Sequence, residues 1–363
     1  MPGFNLMSLF RKRPKADAGP RFGYAVVGLG HIAGYFIDAL AGSPTCAVTA
    51  LISGDAAKAQ SLAAKRSIPH SGTYQDFEAI LSQPGVDAVY LALPVNLHRE
   101  FTERAAAAGK HVLCEKPMAP TSADARAMIG TCRAANVLLS IAYRCPHHAR
   151  HRDLRDLLRS GKLGALNSLR IESGFGFALH PGWRDNPAQA GGGSLFDVGI
   201  YPLNTARFLL GENPVVVEYA SAVCDANGLE RSIAWANIFP SGARTACRSS
   251  YVEEIPDTLR VTGESGSLLL APAFSHRERY RLQGEYQDAD GRHVINMRTP
   301  SNATSEFRLE AEQLAAAVRG EEPLLTPGED GLADMVAMEA IYSAAGVAIG
   351  RRQRKTASSP IQS

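Results

Sequence analysis

Five short apolar runs alternate with helix-patterned stretches through roughly the first 145 residues, and no other feature limits the fold as strongly. The runs are Tyr24–Val27, Val48–Ile52, Ala88–Leu93, His111–Cys114 and Leu138–Ala142. Between them lie Ile32–Ala41, Ala56–Arg66, Asp76–Leu81, Leu97–Ala108 and Ser122–Ala135. Strands joined through helices must be parallel, and near-continuous apolar strands imply a sheet covered on both faces. After about Pro146 the pattern changes. A helix near His151–Arg159 precedes alternating segments at Ser168–Phe175, Val215–Val223, Ile233–Phe239, Arg244–Val252 and Thr258–Thr262, punctuated by Asn227-Gly228, Ser241-Gly242 and Ser265-Gly266. These predict antiparallel pairing. Helical stretches at Phe307–Arg319 and about Glu329–Ala348 close the pattern. The expected class is α/β, with an N-terminal doubly wound, dinucleotide-binding type domain over 21–145. An α+β domain with a large, open, mainly antiparallel sheet follows over 146–350. Residues 1–20 read as a mobile arm and 351–363 as a flexible tail.

Composition narrows the function. The 363 residues suffice for two domains, and 38 Lys+Arg against 36 Asp+Glu leave a formal charge of +2. That balance builds no field for nucleic acid or an anionic membrane. No apolar run reaches the ~18 residues of a spanning helix. The six cysteines form no C-x-x-C pair and nothing has metal-ligand spacing, so reduced, mostly buried thiols are expected. Near the N-terminus the apolar residues Phe4–Phe10 precede the basic run Arg11–Lys15, the reverse of a secretory signal, which places the protein in the cytoplasm.

Gly28-Leu29-Gly30-His31-Ile32-Ala33 falls where the first strand turns into the first helix. Glycines there permit a tight turn and close approach to a pyrophosphate, which the helix amino end then attracts. The second run ends in Ser53-Gly54-Asp55, with Lys58 one turn beyond. Ser53, Gly54 and Lys58 suit a 2′-phosphate. Asp55 could instead hold a free 2′-hydroxyl or cap the following helix. The expected cofactor is NADP, with NAD as the other candidate. Ligands bind beyond the carboxyl ends of such strands. Further candidate contacts are therefore Leu93, Pro94, Asn96 and His98 after the third run, and Glu115 and Lys116 after the fourth.

Gly191-Gly-Gly-Ser194-Leu-Phe-Asp197-Val-Gly-Ile-Tyr201-Pro202 opens a helix in the second domain with Asp197 and Tyr201 four residues apart, on one face. Asp197 could alternatively complete a capping box with Ser194, and Tyr201 could be ordinary core. Pro202 predicts a kink or a restart of the helix at Tyr201.

Taken together these segments resemble the glucose–fructose oxidoreductase / inositol dehydrogenase family of sugar oxidoreductases, from Phe22 to about Ala348. The resemblance rests on Gly28–Ala33, on Ala107–Met118 with Cys114-Glu115-Lys116-Pro117, and on Gly191–Gly211. Ser53-Gly54, Tyr143-Arg144, Trp183-Arg184 and Tyr rather than His at 201 point to the glucose–fructose oxidoreductase branch. It implies a nicotinamide between Lys116 and the Asp197/Tyr201 helix, held in part by Tyr143, Arg144, Trp183 and Arg184. It also implies an open sheet that makes homodimers or homotetramers.

The expected reaction moves hydride between nicotinamide and a carbinol or carbonyl carbon of a cyclic sugar or polyol, as in aldose oxidation to lactone or keto-sugar reduction. Tyr201 is the candidate acid/base. Lys116 favours its phenolate and stabilises developing alkoxide, and Asp197 binds a substrate hydroxyl. His98 and His180 are reserve proton carriers. Alternatives are an anhydro-keto-sugar reductase or trans-dihydrodiol dehydrogenase and, in another class, a non-catalytic dinucleotide sensor, which would need none of Lys116, Asp197 and Tyr201.

Overall fold

A computed structural model describes residues 20–174, 183–275, 278–300 and 303–348; the arm, the tail and His180 lie outside these ranges. The first sheet contains β1 (Phe22–Val27), β2 (Cys46–Ser53), β3 (His70–Thr73), β4 (Ala88–Leu91), β5 (His111–Glu115) and β6 (Leu139–Ala142). All its pairings are parallel, in the order β3-β2-β1-β4-β5-β6. Helices α1 (His31–Leu40), α2 (Ala56–Arg66), α3 (Phe77–Leu81), α4 (Val95–Ala107) and α5 (Ser122–Ala134) connect the strands. Strand order reverses between β1 and β4, which opens a crevice at their carboxyl ends. The sequence pattern missed β3 because His70-Ser-Gly-Thr73 is a four-residue edge strand without an apolar run.

The helices α6 (Arg144–His147) and α7 (Ala149–Arg159) lead into a sheet formed by β7 (Leu166–Gly174) and seven later strands. Between β7 and those strands come α8 (Pro187–Ala190), a π turn at Leu195–Gly199 and α9 (Ile200–Leu210). The strands are β8 (Val216–Cys224), β9 (Glu230–Ile238), β10 (Arg244–Ser250), β11 (Thr258–Gly263), β12 (Gly266–Ala271), β13 (Arg281–Asp288) and β14 (Gly291–Arg298). They order as β14-β13-β12-β11-β7-β10-β9-β8, antiparallel except for β7 beside β10. The sequence pattern did not anticipate β12–β14. In β13 and β14 charged and amide side chains such as Arg281, Gln283, Arg292 and Asn296 break the apolar signal.

The closing helices α10 (Glu306–Val318) and α11 (Gly328–Ala344) return to the first sheet. On one face Phe307, Ala311, Leu314 and Ala315 of α10 join Tyr24, Val26, Phe36 and Tyr90 in one apolar cluster. The Tyr24 hydroxyl donates to the Ala311 carbonyl at 2.7 Å. On the other, Met335, Met338 and Ile341 of α11 belong to a cluster running from Val27, Leu91 and Val112 to Trp235, Val261 and Leu282 of the second sheet. One continuous core therefore fixes the two sheets relative to each other. Among the described residues no helix is long and apolar enough to cross a membrane. All six cysteines are unpaired, five of them buried.

Candidate functional site

At the β1–α1 turn Gly28 has φ +87°, and a Cβ there would lie 2.4 Å from the Ala92 carbonyl oxygen, so only glycine fits. Gly30 caps α1 with no side chain over the helix end and open space where a Cβ would stand. Leu29 is buried and Ile32 half-buried; His31 is exposed, its ring 4.9 Å from that of Tyr35. Free first-turn amides beside the open space at Gly30 suit a dinucleotide pyrophosphate. At the end of β2, Ser53 Oγ accepts from the Asp55 amide at 3.1 Å, and Asp55 Oδ1 accepts from the Lys58 amide at 3.0 Å. Asp55 is thus the N-cap of α2, the second of its sequence readings. Gly54 and Lys58 are exposed beside it.

The turn after β4 divides its candidates. Asn96 is exposed, Leu93 is buried and Pro94 caps α4. His98 is buried: its Nε2 lies 2.9 Å from the Leu93 carbonyl oxygen and its Nδ1 3.1 Å from that of Pro117. Burial lowers its pKa, and the ring is shut in between the two turns, away from Tyr201, which does not suit the reserve role in proton transfer. Glu115 is also buried, with Tyr90 Oη donating to Oε1 at 2.5 Å and the Lys116 amide to Oε2 at 3.1 Å; burial pushes its carboxyl up.

Lys116 reaches across to the second domain. Its Nζ donates to the Asp197 carbonyl at 2.6 Å and to Asp197 Oδ1 at 3.2 Å, and lies 4.6 Å from the centre of the Tyr201 ring. Arg184 Nε donates to Asp197 Oδ2 at 2.6 Å. Burial alone would raise the Asp197 carboxyl, but Lys116 and Arg184 outweigh it and hold the group well below the usual carboxylate range. Burial would likewise lower Lys116, yet Tyr201, Asp197 and Glu115 raise it, so it stays an ammonium.

The helix carrying Asp197 and Tyr201 is locally π-wound at Leu195–Gly199 and becomes regular from Ile200, one residue before the expected restart. In a π turn the Asp197 carbonyl looks to the amide five residues on, which is Pro202 and has no N–H. Lys116 supplies a donor there. The capping-box reading of Asp197 is not realised: Ser194 makes no cap bond, its Oγ lying 3.2 Å from Ser249 Oγ.

Arg144, a candidate cofactor contact, lies beside Tyr201. It is buried in α6, 4.9 Å from the centre of the Tyr201 ring, with Nε 3.5 Å from Tyr201 Oη. It donates to Tyr280 Oη at 3.0 Å and to the Phe274 carbonyl. Its guanidinium thus serves the tyrosine. Tyr201 is half-buried, flanked by Lys116 and Arg144, with the Phe274 ring 5.9 Å away. Tyr143 is buried with Asp334 and Asp330 as charged neighbours. Trp183 opens a one-turn helix, Trp183–Asp185, and its side chain lies outside the described part, as does His180. Tyr280 and Phe274 had no signal in the sequence, since each is a single aromatic in an irregular segment.

A doubly wound domain with an uncapped glycine turn, facing a lysine–aspartate–tyrosine cluster, defines a nicotinamide-dependent oxidoreductase. Residues 22–143 match the oxidoreductase family with NAD-binding Rossmann fold, and residues 151–269 match the GFO/IDH/MocA C-terminal domain, so the chain belongs to the GFO/IDH/MocA oxidoreductase family. It is 33% identical over 301 residues to the D-xylose 1-dehydrogenase (NADP(+)) 2 of Haloferax volcanii, covering 82% of this chain and 89% of that protein. With the D-xylose 1-dehydrogenase [NADP(+)] of Haloarcula marismortui it shares 30% over 312 residues, 82% and 84% of the two chains. The crystal structure of the aldose-aldose oxidoreductase from Caulobacter crescentus, complexed with glycerol, superposes with TM-score 0.83 and 37% identity, over 90% of this chain and 98% of that one.

Proposed function

We propose that this protein is an NADP-dependent oxidoreductase that oxidises a cyclic aldose at its carbinol carbon, or reduces the corresponding carbonyl, in the cytoplasm. The observation that carries the reading is the meeting of Lys116, Asp197 and Tyr201 across the two domains. The related aldose enzymes support the substrate class, and the exposed Gly54 and Lys58 beside Ser53 support the phosphorylated cofactor. Bound nicotinamide supplies hydride exchange. Tyr201 takes the hydroxyl proton during oxidation or returns it during reduction. Lys116 donates to the reacting oxygen, and Asp197 keeps Lys116 charged and aimed while its remaining lone pairs can accept a sugar hydroxyl. Tyr201→Phe should leave cofactor binding intact and lower turnover by roughly 10²–10⁴. Near-normal turnover would refute the assignment. We further propose a homo-oligomer built on the second sheet, supported by exposed Val216, Tyr219 and Val223 on β8 and Val294 on β14. Light scattering should report at least a dimer of the 38.8 kDa chain; a monomer at micromolar concentration would exclude it.

A further inference from the structure

Glu230 opens β9 and is 1% exposed, yet none of the reading above uses it. Its Oε2 accepts from the Gly193 amide and its Oε1 from the Leu195 amide, each at 2.8 Å. Tyr342 of α11 donates to Oε1 at 2.8 Å. The first amides of a helix have no partners within it, and Ser194 is turned away toward Ser249. A carboxylate from a distant strand therefore caps the helix that bears Asp197 and Tyr201. It is the side chain that can accept two N–H groups on two separate oxygens. Space is cut to the same fit. A Cβ on Gly193 would stand 1.8 Å from the Glu230 carbonyl oxygen, and one on Gly192 would stand 2.5 Å from Tyr342 Oη. Burial pushes the Glu230 carboxyl up, opposed by the two amides and the Tyr342 hydroxyl.

We propose that Glu230 is the positioning residue of this active site: its two-pronged hold on Gly193 and Leu195 fixes the start of the π turn, and so the placement of Asp197 and Tyr201 against Lys116. Glu230 acts through the helix, without touching substrate, and the proposal rests on the acid/base reading of Tyr201. Its position behind the helix means that a change there moves the reacting groups and leaves the β1–α1 turn alone.

Glu230→Gln tests this, because glutamine offers one acceptor and turns an NH2 toward the other amide. We expect kcat to fall roughly 10- to 100-fold, as for a displaced catalytic group, while the NADP Kd from fluorescence titration stays within about twofold. Combined with Tyr201→Phe the two losses should not multiply, the double variant turning over about as slowly as Tyr201→Phe alone. An unchanged kcat, a multiplied loss or an equal loss of cofactor affinity overturns the proposal. Should Glu230→Gln fail to fold, Tyr342→Phe carries the test. Removing one donor to Oε1 should lower kcat roughly two- to threefold at constant Kd, and an unchanged kcat overturns it. Should Tyr201→Phe itself keep its turnover, the acid/base reading falls, whereas the split between kcat and Kd in Glu230→Gln still judges the positioning role.

Discussion

Two regions of the crevice are built from opposite materials. Around the ends of β1 and β2 the protein offers backbone amides and small groups: Gly28, Gly30, Ser53 and Gly54, with Lys58 free at the surface. Around the end of β5 it offers buried charge, with Lys116, Asp197 and Arg184 in one chain of contacts and Arg144 behind Tyr201. The first region needs room and a helix end, which neighbouring residues supply. The second needs charges held in one geometry, and buried charges persist only where partners compensate them. The lysine that completes it lies 81 residues from the aspartate it binds.

The sharpest way to break this contrast is to remove the charge at its centre. Lys116→Ala should lower turnover by roughly 10²–10⁴ while NADP affinity falls far less, because the β1–α1 turn is untouched. If steady-state kinetics and fluorescence titration show affinity and turnover falling together, the two regions are one unit.

A second test concerns the joint beneath the charged region. Burial first, and then nearby Arg152, lowers His147 to about 3; burial, with Arg150, Arg144 and Arg152, does the same to His148. His151 is pushed below its ordinary value as well, by burial, His148 and Arg144. These rings are neutral when folded and take up protons when unfolded. Their stabilising contribution is therefore complete above the unfolded value of 6.5 and drains away as pH falls toward the folded value. We expect urea unfolding to report a loss of about 2 kcal/mol per histidine by about pH 5. A flat stability between about pH 7 and about pH 5 would contradict it.

The smallest effect is expected where the surface is open. Lys58→Ala should weaken NADP roughly tenfold, the worth of one exposed charge-assisted hydrogen bond, and leave NAD unchanged. Equal weakening of both cofactors would mean that Lys58 does not meet a 2′-phosphate.

The first domain was legible because its determinants are local. Apolar runs made strands, Gly28 marked a backbone position where φ is positive and a Cβ has no room, and the helix cap was one of the two readings open to Asp55. Lys116, Asp197 and Tyr201 could be named from motif spacing, and the Pro202 restart was misplaced by a single residue. The polar strands β13 and β14 were not legible, since their pairing is set by neighbouring strands and not by an apolar period. Nor could spacing show that Arg144 packs against Tyr201, or that His98 lies buried between the Leu93 and Pro117 carbonyls. Glu230 carries no motif at all.

By itself, then, the sequence determined the two-sheet architecture and the dinucleotide turn, and it singled out the residues proposed to react. Each of these follows from a repeat or a backbone demand within a few consecutive residues. The tertiary structure alone decided which charges face one another and what aims them. Partners such as Lys116 and Asp197, Arg144 and Tyr201, or Glu230 and the Gly193 and Leu195 amides meet only after the core that α11 closes has fixed the two sheets. Burial then makes the pairing obligatory, because a buried charge or helix-end amide left without its partner costs more than the surrounding packing would recover.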